Sequence, residues 1–188
     1  MVDIDETTGI WNSKDMESKH KHDPQLSEAI VKFLKKEKVK NAVDFGCGMG
    51  KYVLEINKNN IECDGYDGNP FTPELTDGEC GVLDLSKDFD LNEKFGCVIS
   101  LEVGEHLPVE FEDIYMRNIT KHTKNLLILS WATPGQGGDG HVNERSNNYI
   151  RNKIVNLGFS CDFAEEKNLR ESSSLSWFKR TIFVFRKN

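Results

Sequence analysis

One short stretch of the chain combines an acid with three glycines, Asp44-Phe45-Gly46-Cys47-Gly48-Met49-Gly50. Glycine lets the backbone turn tightly and lets a ligand approach it closely. The apolar residues 42–45 predict a buried strand before the loop. A helix predicted over residues 52–57 would follow it and offer free N–H groups at its start. The stretch is therefore a candidate binding loop between a strand and a helix.

Two well-known ligand loops do not fit this stretch. A P-loop, G-x-x-x-x-G-K-[ST], would need glycine at Phe45 and Ser or Thr at Tyr52. A dinucleotide loop, G-x-G-x-x-G, would need its third glycine at Lys51 or Val53. The remaining pattern is G-x-G-x-G preceded by an acid inside the strand.

Acidic residues also mark the ends of the next three predicted strands. Asp67 follows the strand over 61–66, 21 residues after Gly46. Asp84 lies at the end of the strand over 81–85, and Glu102 follows the strand over 97–101. Ligands of open parallel sheets bind beyond the carboxyl ends of the strands, so these acids should meet the glycine loop. A carboxylate at position 67 can accept both hydroxyl protons of a ribose.

The glycine loop and its acids resemble the class I methyltransferases that use S-adenosylmethionine (SAM). The resemblance covers about residues 23–188. It implies SAM as cofactor, Asp67 at the ribose and Asp84 at the adenine amino group. It also implies a seven-stranded sheet with an antiparallel last strand. The residues expected at the cofactor are Asp44, Gly46, Cys47, Gly48, Gly50, Tyr52, Asp67, Gly68, Asp84, Leu85 and Glu102.

A second group of polar residues follows the fourth and fifth predicted strands. Glu102, Glu105 and His106 have i, i+3 and i+4 spacing, which places them on one side of a helical turn. The glycine-rich loop over 133–143 brings His141 to the same edge of the sheet. Two Glu and two His side chains that converge there could bind a divalent cation.

The E-x-x-E-H pattern with a later His resembles the metal site of the ubiquinone-pathway O-methyltransferases and the small-RNA 2′-O-methyltransferases. It also occurs in metal-free relatives, so two mechanisms stay open. In one, a cation such as Mg²⁺ bound by Glu102, Glu105, His106 and His141 acidifies an acceptor hydroxyl. In the other, His141 acts as general base with Glu105 and His106 beside it.

The elements that must position these residues alternate between strand and helix, which predicts an α/β, doubly wound, mostly parallel sheet. Asp23-Pro24 predicts the start of a helix that runs to about residue 37. The segments 159–163 and 181–186 predict two final strands, and the charged, serine-rich linker over 165–176 predicts a mobile loop. We expect one domain over 23–188 and an N-terminal segment over 1–22 that could serve as a lid.

Bulk composition excludes several classes of protein. The 188 residues suit one domain, and the net charge of −7 argues against a dedicated nucleic-acid binder. No apolar run approaches the length of a membrane helix, and the N-terminus lacks the apolar stretch of a secretory signal. Five cysteines without a C-x-x-C pair argue against a disulfide framework or a zinc knuckle and favour the reducing cytoplasm. His20, His22 and His122 lack a comparable setting, and we expect them to be solvated.

The resemblance predicts methyl transfer to an oxygen, or less often a nitrogen, of a small-molecule acceptor. An RNA 2′-O-methyltransferase is an alternative that the charge disfavours. A non-catalytic, SAM-binding partner subunit is another. A chain of this length leaves little room for a substrate domain, so a homodimer or a partner subunit could complete the acceptor pocket.

Overall fold

The fold follows the predicted alternation of strands and helices. The computed structural model describes residues 3–16 and 20–188. Its strands are β1 (Asp3–Ile4), β2 (Trp11–Asn12), β3 (Asn41–Phe45), β4 (Glu62–Asp67), β5 (Gly81–Val82), β6 (Phe95–Ser100), β7 (Thr123–Ser130), β8 (Phe159–Cys161) and β9 (Ile182–Lys187). Its helices are α1 (Pro24–Lys36), α2 (Lys51–Lys58), α3 (Thr72–Leu75), α4 (Glu112–His122), α5 (Asn147–Asn156), α6 (Phe163–Ser172) and α7 (Phe178–Thr181).

Seven strands form the central sheet in the order β5-β4-β3-β6-β7-β9-β8. The pairs from β5 to β7 are parallel, whereas β9 runs antiparallel to both of its neighbours. The predicted α/β sheet with an antiparallel last strand is confirmed. The strand order reverses between β3 and β6, and such a switch point opens a crevice at the carboxyl ends of the strands.

The sheet is covered on both faces. Ala42 and Ile128 pack into a core with α1 and α2 on one face, and Val43 and Leu127 pack into a second core on the other. Every residue of β6 is buried, which explains its continuous apolar sequence. In the described ranges, no helix is long and apolar enough to cross a membrane.

Asp23 ties the start of α1 to the segment before α7. Its Oδ1 accepts from the Leu26 amide at 3.0 Å, as expected of an N-cap. Its Oδ2 accepts from the Ser173 hydroxyl at 2.6 Å and from the amides of Ser174 and Leu175 at 2.7 and 2.9 Å. This fully buried carboxylate therefore holds the approach to α7 against the beginning of the domain.

The prediction of a mobile loop over 165–176 is wrong, because residues 163–172 form α6. Asp162 caps the helix by accepting from the Glu165 amide at 3.0 Å. Leu169 is buried in the core, and Glu166 accepts from Arg151 Nη1 at 2.8 Å. The charged residues that suggested a solvated loop thus take part in tertiary contacts.

The expected solvation of His122 is also wrong. Its side chain is buried in the core beside Phe89, on which it stacks with 5.0 Å between ring centroids. Its Nε2 accepts from the Leu91 amide at 3.1 Å, and its Nδ1 lies 2.7 Å from the Asn118 carbonyl oxygen. The two backbone partners explain how an imidazole is accommodated inside the domain.

Candidate active site

The glycine loop connects β3 to α2 in a conformation that needs glycine. Gly46, Gly48 and Gly50 have φ values of +84°, +54° and +64°. A Cβ on Gly46 would lie 2.3 Å from Val103 Cγ2, and one on Gly48 would lie 2.2 Å from His20 Nδ1. The tight turn inferred from the sequence occurs here, and the side chains of Val103 and His20 approach the loop closely.

Asp67, the last residue of β4, is bonded to this loop. Its Oδ2 accepts from the Gly48 amide at 2.9 Å, and its Oδ1 accepts from the Asn69 amide at 2.9 Å. The Gly46 and Cys47 amides donate to the Tyr66 carbonyl oxygen at 2.7 and 3.1 Å. The loop therefore follows the end of β4 as well as that of β3.

The other two acids near the loop differ in charge. Burial raises the pKa of Asp84, but hydrogen bonds from Ser86 and Lys87 lower it more, so its pKa lies below the ordinary value. Asp44 is almost completely buried, and this burial, together with Cys80 and Asp67, raises its pKa well above the ordinary range. Asp84 is thus an ionised acceptor, whereas the side chain of Asp44 favours the protonated form.

Two cavities lie beyond the strand ends. A small one of about 80 Å³ contains Asp67, Gly68, Asp84 and Leu85. A large one of about 470 Å³ contains Asp44, Cys47 and Tyr52. Residues common to both cavities are Trp11, His20, Gly46, Glu102 and His106. The predicted cofactor residues other than Gly48 and Gly50 therefore line adjoining parts of one crevice.

Residues of the N-terminal segment cover this crevice. The Trp11 ring meets the rings of His20 and His106 edge-on, with centroids 5.2 and 5.5 Å apart. A Cβ on Gly68 would lie 2.7 Å from Ile10 Cγ1. His20 is half-buried between the segment and the glycine loop, so the expectation that it is solvated is wrong.

The second group of polar residues forms a compact cluster. Glu105, His106 and His141 each offer one ligand atom, and these atoms lie within 4.8 Å of one another. Both oxygens of the fully buried Glu105 and the Nδ1 of His106 lack a hydrogen-bond partner of acceptable geometry among the described residues. His141 Nδ1 lies 3.1 Å from Glu144 Oε1. The arrangement can hold a cation or position an imidazole for proton transfer.

Burial dominates the protonation of this cluster. Burial and the nearby Glu102 charge raise the pKa of Glu105 well above its ordinary value. Burial and the neighbouring His141 lower the pKa of His106 to about 4. Burial therefore favours the uncharged form of both the Glu105 carboxyl and the His106 imidazole.

Glu102, the fourth predicted ligand, is not part of that cluster. Its Oε2 accepts from Gln136 Nε2 at 2.6 Å, and its Oε1 accepts from the Thr181 hydroxyl at 3.1 Å. These bonds connect the end of β6 to the glycine-rich loop and to α7. No sequence pattern predicts a role for Gln136 or Thr181, because only the fold brings them to the acid.

Several lining residues of the large cavity were missed from the sequence. His22, which we expected to be solvated, is half-buried, and its ring meets Tyr52 edge-on with centroids 4.9 Å apart. Trp177, Phe178 and Arg180 reach the cavity from α7 and its start. The pair Trp177-Phe178 was the available signal, since two large aromatic residues in an otherwise serine-rich stretch favour a packed segment.

Comparisons with known proteins agree with this site. A family model described as a methyltransferase domain matches residues 18–156. A search of curated proteins gives no match. The magnesium protoporphyrin IX methyltransferase ChlM of Synechocystis with bound SAM has a TM-score of 0.65 and 18% identity, over 87% of this chain and 79% of that one.

Two further solved structures are similar. The sugar N-methyltransferase KedS8 of Streptoalloteichus has a TM-score of 0.68 and 13% identity, over 88% of this chain and 87% of that one. The SAM-bound amino pentose methyltransferase CalS10 of Micromonospora echinaspora has a TM-score of 0.66 and 14% identity, over 87% and 92%. At these identities the likeness supports the fold.

The described residues suit SAM. The glycine loop leaves no room for added Cβ atoms, an ionised acid lies in the small cavity, and the large cavity contains buried polar atoms without partners. The chain belongs to the methyltransferase-domain family and is a SAM-dependent methyltransferase with the class I, Rossmann-like fold.

Proposed function

We propose that this methyltransferase methylates a hydroxyl oxygen of a small-molecule acceptor, which binds beside His141. The observation that carries the proposal is that His106 and His141 line the same cavity as Gly46 of the glycine loop. Bound SAM supplies an electrophilic methyl group on a positively charged sulfur. The task of the chain is to bring the acceptor oxygen in line with that methyl group.

The cofactor assignments rest on the positions of the two acids. Asp67 accepts the ribose hydroxyl protons, and Asp84 accepts a proton of the adenine amino group. Both carboxylates border the small cavity, together with Gly68 and Leu85. The bonds from Gly48 and Asn69 to Asp67 fix the orientation of its carboxylate before the cofactor arrives.

An acceptor hydroxyl must lose its proton, whereas an amine can attack with a lone pair. The Glu105, His106 and His141 cluster is suited to that deprotonation, which favours oxygen over nitrogen. Glu105, His106 and His141 would hold a divalent cation that acidifies the hydroxyl. Alternatively, His141 takes the proton itself, with Glu144 at Nδ1 orienting the ring. The unpartnered atoms of Glu105 and His106 support the cation.

The N-terminal segment is a lid in this proposal. Ile10 packs over Gly68 and Trp11 packs over His106, so one segment covers both the cofactor side and the acceptor side. A lid excludes water from the reacting groups and ties cofactor exchange to its own opening.

Small-molecule acceptors agree with the similar structures, which are a magnesium protoporphyrin IX methyltransferase, a sugar N-methyltransferase and an amino pentose methyltransferase. The net charge of −7 disfavours RNA as acceptor. All five cysteines are free thiols, which fits a reducing location such as the cytoplasm.

A panel of phenols, sugars, amines and carboxylic acids, incubated with protein and SAM, tests the function. Mass spectrometry should detect an acceptor that gains one methyl group in place of hydrogen, and the site of the gain identifies oxygen or nitrogen. Methylation of an amine only, or of an RNA 3′ end only, would contradict the proposal. SAM binding without turnover on any acceptor, restored by a second protein, would indicate a partner subunit instead.

A further inference from the structure

Two polar atoms in the large cavity are left without partners by the protein. His22 Nε2 and Tyr52 Oη are buried and form no hydrogen bond with any described residue. The Asp23 amide lies near the Tyr52 hydroxyl, but outside hydrogen-bonding geometry. A buried polar atom without a hydrogen-bond partner is destabilising, so two such atoms in one wall indicate a bound partner.

The surroundings of these two atoms favour an anion. Lys51 is the first residue of α2, lines the same cavity and forms no ion pair with a described residue. Burial and the Lys51 charge both lower the pKa of His22, whereas the carboxylates of Asp23 and Glu55 raise it less. Asp23 already accepts hydrogen bonds from α1 and from residues 173–175, and it forms no ion pair with Lys51.

Three further acids lie near these atoms. Burial favours the protonated form of Asp44, and Glu102 accepts from Gln136 and Thr181. Glu55 Oε1 accepts from Asn59 Nδ2 at 3.1 Å, toward the other end of α2. The wall therefore presents an ammonium group, a phenol and an imidazole N–H. Backbone N–H groups in the first turn of α2 add a favourable dipole. Such a set of donors matches a carboxylate, which accepts through both of its oxygens.

SAM has a single anionic group, the carboxylate of its amino acid end. If Asp67 and Asp84 bind the adenosine, the amino acid end would reach the adjoining large cavity, which shares Gly46 with the small one. His106 and His141 occupy the acceptor side of that cavity, whereas His22, Lys51 and Tyr52 occupy the α1 and α2 side.

We propose that His22, Lys51 and Tyr52 form the subsite that binds the carboxylate of SAM. The inference depends on SAM being the cofactor and adds the recognition of its amino acid end. It assigns a role to His22, which lies outside the glycine-loop motif. It also assigns a role to Lys51, which follows Gly50 as in a P-loop although the rest of that motif is absent. Lys51 attracts the carboxylate by its charge, and hydrogen bonds from the Tyr52 phenol and the His22 imidazole orient it.

Two ligands that differ only in the carboxylate test this subsite. S-adenosylhomocysteine and its decarboxylated analogue share the adenosine, the sulfur and the amino group. Calorimetry should show that wild type prefers the carboxylated ligand. Tyr52→Phe and His22→Phe keep the contacting rings but remove a donor, and Lys51→Gln removes the charge. Each substitution should lower the affinity for S-adenosylhomocysteine about tenfold and change the affinity for the decarboxylated analogue by less than about twofold.

Lys58→Gln is the matched control, because Lys58 is exposed in the last turn of the same helix and does not line the cavity. It should change neither affinity. Equal weakening of both ligands by the three variants would show a structural role and overturn the subsite, as would unchanged affinity for S-adenosylhomocysteine. If wild type binds neither ligand, the cofactor itself is wrong. Should His22→Phe not fold, Tyr52→Phe and Lys51→Gln decide the question.

Discussion

The amide of Gly48 donates a 2.9 Å hydrogen bond to Asp67 Oδ2, which joins the loop after β3 to the end of β4. The other carboxylate oxygen of Asp67 accepts from the Asn69 amide. This acid therefore shapes the glycine loop, in addition to the contact with the ribose that we propose. Asp67 should therefore contribute to cofactor affinity both through the shape of the loop and through its own contact with the ribose.

Asp67→Ala should weaken S-adenosylhomocysteine binding by at least about tenfold, because hydrogen bonds to a charged group contribute about 1.5–3 kcal/mol. Asp84→Ala should cost less, since a single adenine contact is lost and the hydrogen bonds of Asp84 to Ser86 and Lys87 are local. Calorimetry on both variants measures the difference. Wild-type affinity in Asp67→Ala would remove this residue from the cofactor site.

Gly48→Ala should abolish detectable cofactor binding. The added Cβ would need a φ of +54° and would lie 2.2 Å from His20 Nδ1. Gly78→Ala separates backbone strain from steric clash. Gly78 also has a positive φ, +84°, but a Cβ there meets nothing within 4 Å. The control should lose some thermal stability and keep its affinity. Equal loss of binding in both variants would show that backbone strain alone is responsible.

The sheet could be predicted from sequence because each strand contains its own signal. The buried residues of β3, β6 and β7 form apolar runs, and glycine or an acid marks the strand ends. The prediction for the segment over 163–172 was wrong because its charged residues are typical of a solvated loop. The contacts that stabilise the helix, from Arg151 and from the cap Asp162, form only in the folded domain.

The cofactor half of the site could also be predicted from the sequence, because its residues lie in short motifs next to strand ends. The second half depends on distant contacts. Glu102 lies outside the Glu105, His106 and His141 cluster and accepts instead from Gln136 and Thr181, which are 34 and 79 residues away in sequence. No local pattern encodes such a pair of partners.

Asp23→Asn should destabilise the domain at neutral pH. Burial raises the pKa of Asp23, but hydrogen bonds from Ser173, Leu175, Leu26 and Ser174 lower it further, to about 2 against an ordinary 3.8. A depressed folded-state pKa stabilises the fold above the unfolded value, and this stabilisation disappears as the pH falls from 3.8 toward about 2.

Urea unfolding should therefore show that Asp23→Asn loses about 1–2 kcal/mol at neutral pH and much less at the acid end of that range. Asp88→Asn is the control, because the Asp88 pair with Lys121 is exposed and should contribute little. A deficit in Asp23→Asn that stays constant with pH would show that the side chain acts through packing.

The lid proposal predicts faster cofactor release from variants of the N-terminal segment. Trp11→Ala removes the ring that contacts His20 and His106, and Ile10→Ala removes the cover over Gly68. Stopped-flow displacement should show an increase in the dissociation rate of S-adenosylhomocysteine of about tenfold in the double variant, from the lost apolar contact. Glu6→Ala, at an exposed position of the same segment, should leave the rate unchanged. Identical rates in all proteins would exclude a lid.

The two routes for deprotonation of the acceptor make different predictions for Glu105→Gln and for chelation. If a cation bridges Glu105, His106 and His141, EDTA should abolish turnover, Mg²⁺ or Mn²⁺ should restore it, and Mn²⁺ should bind wild type but not Glu105→Gln in calorimetry. If His141 alone takes the proton, turnover should survive EDTA.

Both routes predict that His141→Ala loses turnover on the order of 100-fold while S-adenosylhomocysteine affinity changes less than about twofold, because the imidazole serves the acceptor. Glu110→Gln is the control for a general loss of negative charge, because Glu110 is exposed beside α4. Full activity in His141→Ala would reject both routes and leave the glycine-rich loop a structural role.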